Sequence, residues 1–238
     1  AYAAALERGY TPASFLRDQP FTRGRWKPKN FDGRMMGLVR MREALVLSRN
    51  LASVNLLNRV GLGKAQAYIR RFGFDIDALQ LGLSMALGTA EVSPLQMAGA
   101  YALFANGGFR VMPHFIRRVE TSAGEPVYEA EPPRACSGCW AGSGDGADGT
   151  GGFAREDSPL AERVIDPRVA YQMTSMMRDV VRRGTGRLAR KLGRKDIAGK
   201  TGTTNDVRDS WFCGFQRDYV TVAWMGFDEF RPLGKGET

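Results

Sequence analysis

The chain has 238 residues, 43% of them hydrophobic and 10% aromatic, with a formal net charge of +9. That length buries a sizeable core in one or two lobes, and no apolar run approaches the ~18 residues that cross a bilayer. The arginines are scattered over the sequence and are not set among aromatic platforms. The basic surface therefore suits an anionic polymer or a membrane better than a nucleic acid.

In chain order, residues 3–9 read as the end of a helix that stops at Gly9, and residues 18–30 form a Pro- and Arg-rich loop. The start, AYAAALERGY, lacks the charged-then-apolar order of a signal peptide and reads as the middle of a helix. Residues 38–47 fit a helix with Leu38, Met41, Leu45 and Val46 on one side. It stops at Ser48-Arg49-Asn50, after which residues 51–60 resume helically as far as Gly61. Residues 64–72 are a further short amphipathic helix, closed by Gly73.

Ser93 and Pro94 carry a clear helix-start signal, with a capping hydroxyl followed by proline in the first turn. That helix runs to Ala105 and ends at Asn106-Gly107-Gly108. Its apolar residues lie almost all round, so it is expected to be central and buried. Residues 115–120 and 126–130 suggest a hairpin about Ala123-Gly124, and the Gly-rich residues 137–152 read as a mobile excursion. Asp166-Pro167 opens a second strong helix to about Arg183, with Val169, Met173, Met176, Met177 and Val180 facing inward. Gly184-Thr185-Gly186 ends it.

There are three cysteines and one histidine, His114. A zinc site wants four ligands, which a single C-x-x-C (Cys136, Cys139) does not supply. A local disulfide fits an oxidising compartment, and Cys213 reads as core.

The remaining stretch, residues 196–215, is DIAGKTGTTNDVRDSWFCGF. A strand of small residues gains an ammonium, two hydroxyls and a glycine at Lys200-Thr201-Gly202-Thr203. A polar turn follows, then an aromatic strand through Trp211, Phe212 and Phe215, then a third strand in YVTVAWMGF. The pattern is an antiparallel meander with Lys200, Thr201 and Thr203 at one edge, where an extended ligand can pair. Gly202, lacking a Cβ, would let another backbone approach closely. Helices first, then a helix and strands, predict an α+β fold. The divisions are 1–110, a mainly helical lobe; 111–165, the hairpin and excursion; and 166–238, the helix and sheet.

Lys200-Thr201-Gly202-Thr203, with Asn205, Asp209, Trp211-Phe212 and Gly214 behind it, resembles the third motif of penicillin-binding proteins. LALGTAEVSPLQMAGAYALFANGG and the Trp26-Lys27-Pro28-Lys29-Asn30 loop extend the likeness over nearly the whole chain. They are similar to class A, bifunctional members of the Gram-negative 1A type. The resemblance implies a D,D-transpeptidase domain of the penicillin-binding-protein/β-lactamase-like fold, needing no cofactor and acting on peptidoglycan stem peptides from a lipid-linked precursor. It implies β-lactams as inhibitors, and a parent protein with a glycosyltransferase and a membrane anchor at the periplasmic face of the bacterial inner membrane.

The resemblance also distributes roles. The second motif, Ser-x-Asn, falls at Ser48 and Asn50, with Ser53-Val54-Asn55 as a competing match that sits inside the next helix pattern. Ser48 would relay a proton, Asn50 would hold the substrate amide, and Lys200 would keep Ser48 proton-competent. Thr201 and Thr203 would bind the substrate carboxylate beside Gly202, and the backbone N–H of Thr203 would form half of an oxyanion hole. The family's nucleophile comes from Ser-x-x-Lys, yet no serine here has a lysine three positions on. The expectation is a chain that begins just past its own nucleophile and also stops early. A related β-lactamase, or a non-catalytic peptidoglycan-binding fragment, is the alternative.

Overall fold

The computed structural model describes residues 1–79, 81–136, 159–229 and 231–234. Most of the Gly-rich excursion therefore lies outside the described residues. Helix α1 (Tyr2–Leu6) is followed by the antiparallel pair β1 (Phe15–Asp18) and β2 (Gly37–Arg40), with Leu16 opposite Val39 and both buried. Three helices follow: α2 (Met41–Val46), α3 (Asn50–Val60) and α4 (Leu62–Arg70). After a 3-10 turn at Leu83–Leu87 come α5 (Pro94–Ala105) and the hairpin β3 (Arg118–Glu120) and β4 (Pro126–Glu129). The chain ends in α6 (Pro167–Arg183), a 3-10 segment at Arg187–Leu192, and the meander β5 (Ala198–Thr203), β6 (Ser210–Phe215) and β7 (Val220–Met225).

Helix α6 is the spine. Asp166 caps it by accepting from the Arg168 N–H, and Pro167 takes the first turn, where no N–H is needed. Val169, Ala170, Met173, Met176, Met177, Val180 and Val181 are buried at helical spacing, and against them pack α1, α2, α5 and β5. The inward stripe is the one that the sequence predicted. Because α6 touches both the helices and the sheet, it sets how far Ser48, just after α2, lies from β5.

Two expectations are corrected. Residues 38–40 belong to β2 and not to the helix: the helix begins at Met41, and Leu38 is 64% exposed. The i, i+3 spacing of Leu38 and Met41 suits either structure, and pairing with β1 decides it. Helix α5 has the predicted start, with a full Ser93–Gln96 capping box, but it is not central. Only Ala100 and Leu103 are buried. One side of α5 packs on α6, β6 and β7, and Leu95 in its first turn is exposed.

The β3–β4 hairpin turns at Gly124. Cys213 is free and buried, whereas Cys136 is disulfide-bonded and Cys139 lies outside the described residues.

Candidate active site

β5 forms one edge of the three-stranded sheet. It can lie flush on β6 because Gly199 has no side chain. A Cβ there would sit 2.8 Å from the Cys213 carbonyl oxygen and 2.9 Å from the Phe212 ring. Gly202 does not have the role expected for it. Its open side faces the Trp211 Cβ, which an added Cβ would meet at 3.3 Å, and no other backbone approaches it.

The Thr204 N–H bonds to the Asp209 carbonyl, so residues alternate along the ladder and the N–H groups of Thr203 and Thr201 turn to the free edge. The turn beyond is fixed by the Thr204 hydroxyl, which accepts from the Asp209 N–H at 2.7 Å and the Arg208 N–H at 3.1 Å. Asp209 in turn accepts from the Trp224 indole at 3.0 Å.

Lys200 leaves β5 toward the helices. Its Nζ donates to Ser48 Oγ at 2.8 Å and to the Thr201 carbonyl at 2.8 Å. Burial pulls its pKa down from 10.5 to about 8. It is therefore mostly ammonium at neutral pH, within about a unit of giving up its proton. Cys213 lies directly across in register, and its thiol is pushed up to about 11 by burial.

Ser48 reaches Lys200 through an unusual backbone. Ser48 N–H bonds to Leu45 O and Arg49 N–H to Ala44 O, the paired bonds of a Schellman helix end. Ser48 occupies the left-handed position of that motif with φ 53°, where glycine is the usual residue. The strain is on the order of 1 kcal/mol and persists because the surroundings fix it. Asn50 starts α3 two residues on. Its Nδ2 donates to the Lys29 carbonyl at 3.0 Å, so its protein partner is the β1–β2 loop and not β5.

The competing Ser53-Val54-Asn55 lies inside α3 with its polar atoms spent. Ser53 is buried, donating to Arg49 O and sharing a 3.0 Å bond with the Tyr2 hydroxyl. The Asn55 amide donates to Arg17, Gln19 and Leu51 carbonyls.

One neighbour escaped the sequence reading. Thr185 Oγ1 lies 2.6 Å from Thr201 Oγ1. Gly184 makes this possible, because a Cβ there would sit 2.4 Å from Val46 O. The end of α6 thus abuts the end of α2, and the Thr185 N–H bonds to Val46 O at 3.3 Å. The signal was the Gly184-Thr185-Gly186 triplet, read only as a helix stop. Across the same seam Arg183 pairs with Glu43 at 2.5 Å and Arg42 with Asp179 at 3.1 Å.

A lysine donating across a cleft to a Ser-x-Asn serine, beside a free strand edge, is the arrangement anticipated from the motifs. The family model described as penicillin binding protein transpeptidase domain matches residues 1–227. The chain belongs to this family. Penicillin-binding protein 1A of Pseudomonas aeruginosa is 44% identical over 265 residues, covering 99% of this chain and 32% of the relative. Penicillin-binding protein 1A of Neisseria lactamica is 44% identical over 241 residues, covering 98% and 27%. The crystal structure of penicillin-binding protein 1A from Haemophilus influenzae superposes with a TM-score of 0.87 at 36% identity, covering 99% of this chain and 38% of that one. The fold is that of the penicillin-binding-protein transpeptidases, α+β as expected. The chain spans about a third of the length of these curated relatives.

Proposed function

We propose that this chain is the greater part of a peptidoglycan D,D-transpeptidase domain and a β-lactam target. The observation that carries the proposal is the Lys200–Ser48 bond between β5 and the end of α2, made by residues 152 positions apart in a chain of this family. A serine outside residues 1–238 attacks the carbonyl of the D-Ala-D-Ala bond. The C–N bond breaks, D-Ala leaves with a proton, and the amine of a second stem peptide takes the acyl group.

Lys200 donates to Ser48 Oγ, so the Ser48 proton must point elsewhere, into the cleft, where the leaving nitrogen needs it. Lys200, near the pH at which it can exchange its own proton, resets Ser48 after each transfer. Asn50 turns an Oδ1 that is free among the described residues toward the substrate amide. Thr201 and Thr203 bind the terminal carboxylate, and the outward N–H of Thr203 donates to the developing oxyanion, an interaction worth ~3 kcal/mol.

The parent protein is proposed to be a class A enzyme of the 1A type that also polymerises glycan and is anchored at the periplasmic face of the inner membrane. The anchor would lie elsewhere, since no described helix is long and apolar enough to cross a membrane. The experiment is acylation of the parent protein by a labelled penicillin, followed by mapping of the labelled serine. Rapid acylation with slow release supports a transpeptidase. Fast turnover would favour a β-lactamase, and no label would leave a peptidoglycan-binding role.

A further inference from the structure

The middle residue of Ser48-Arg49-Asn50 has no part in the chemistry above, yet Arg49 and Asp18 are the only charged residues fully in the core among the described residues. Arg49 Nε donates to Asp18 Oδ2 at 2.9 Å and Nη1 to Asp32 Oδ2 at 2.8 Å, while Nη2 reaches the Arg34 carbonyl. Asp18, at the end of β1, also accepts from the Asn30 amide at 2.8 Å and the Met36 N–H at 2.9 Å. Asn30 Oδ1 in turn accepts from the Leu51 N–H, in the first turn of α3. With Asn50 donating to Lys29 O, the β1–β2 loop grips the whole second motif from behind.

A Schellman end normally closes with an apolar residue in the position that Arg49 occupies. A buried ion pair is seldom more stabilising than apolar packing of the same volume. Stability alone therefore does not account for a forked cation in this place. Geometry does: the two hydrogen-bonded arms fix the direction of the chain leaving Ser48, the residue whose left-handed backbone turns its hydroxyl to Lys200.

We propose that Arg49, clamped by Asp18 and Asp32, is a positioning residue for acyl transfer, holding Ser48 toward Lys200 and Asn50 at the cleft. The proposal rests on the transpeptidase reading of Ser48 and Lys200. It makes the β1–β2 loop part of the catalytic apparatus.

The test uses the full-length protein with its own nucleophile, a chromogenic penicillin, and separate measurement of the penicillin dissociation constant and the first-order acylation constant. Arg49→Met is expected to lower the acylation constant by about tenfold or more with the dissociation constant little changed. Asp18→Asn should do the same, and Arg49→Lys should recover part of the loss. Leu103→Ala, a core change in α5, should lower Tm and leave the acylation constant alone. An Arg49→Met protein that acylates at the wild-type first-order rate, with only its Tm reduced, overturns the proposal. If Arg49→Met does not fold, Arg49→Lys and Asp32→Asn decide, and wild-type constants in both overturn it equally. A wild-type protein that takes no label overturns the transpeptidase reading first, and this proposal with it.

Discussion

Lys200 Nζ and Ser48 Oγ, 2.8 Å apart, tie the sheet edge to the helical lobe. The bond is polar, half-buried and made by side chains from opposite ends of the chain. Replacing Lys200 by Ala should leave the Ser48 hydroxyl without its donor and cut acylation of the parent protein by about 10²–10³. Lys200→Arg should recover little, since a planar fork does not reproduce a point ammonium. The first-order acylation constant checks both.

The lowered pKa of Lys200 also makes a stability statement. Between pH 8 and 10.5 the unfolded chain binds the proton and the folded chain does not, so stability contributed through this residue rises with pH across that window. Below pH 8 the cost of holding a half-buried ammonium is fully present. Wild type minus Lys200→Met, followed as Tm against pH, should show this rise. A flat difference would mean that Lys200 is not desolvated.

Asp166 behaves oppositely. The Arg168 guanidinium holds its carboxyl down to about 2 from 3.8. The α6 cap it provides is present above pH 4 and is lost as the pH falls toward 2. Asp166→Asn, which keeps a capping oxygen, should blunt acid sensitivity in that range, read by circular dichroism.

Gly184→Ala should destabilise the chain by about 1–3 kcal/mol, because the new Cβ would press on Val46 O at 2.4 Å. The same push would separate the ends of α2 and α6. Acylation should therefore fall along with Tm.

Thr185→Val keeps the shape and removes the 2.6 Å bond to Thr201. One hydroxyl bond contributes about 0.5–1.5 kcal/mol, a threefold to tenfold loss of penicillin affinity, and Thr185→Ser should retain most of it. Equal affinity in the valine variant would show that Thr185 does not support Thr201.

Much of this was legible in the sequence, for identifiable reasons. The α6 stripe of Val169, Met173, Met176, Met177 and Val180 obeys one period without interruption, and the β5–β7 meander is set off by polar turns. Ser48 could be chosen over Ser53 because a helix break precedes α3 there. What could not be read depends on contacts distant in sequence. β2 is four residues long, and only its partner β1 identifies it as a strand. The even apolarity of α5 carries no signal about which side will be covered. Arg49 is invisible without Asp18, 31 positions earlier, and Thr185 without Thr201.

The most direct test is intact-mass detection of a covalent penicillin adduct on two proteins. One is residues 1–238 alone, and the other is the parent transpeptidase domain with its preceding Ser-x-x-Lys. The account predicts one penicillin mass on the longer protein and none on residues 1–238, where Ser48 serves as a relay and not as the nucleophile. An adduct on residues 1–238, or a folded longer protein that takes no label, would contradict it.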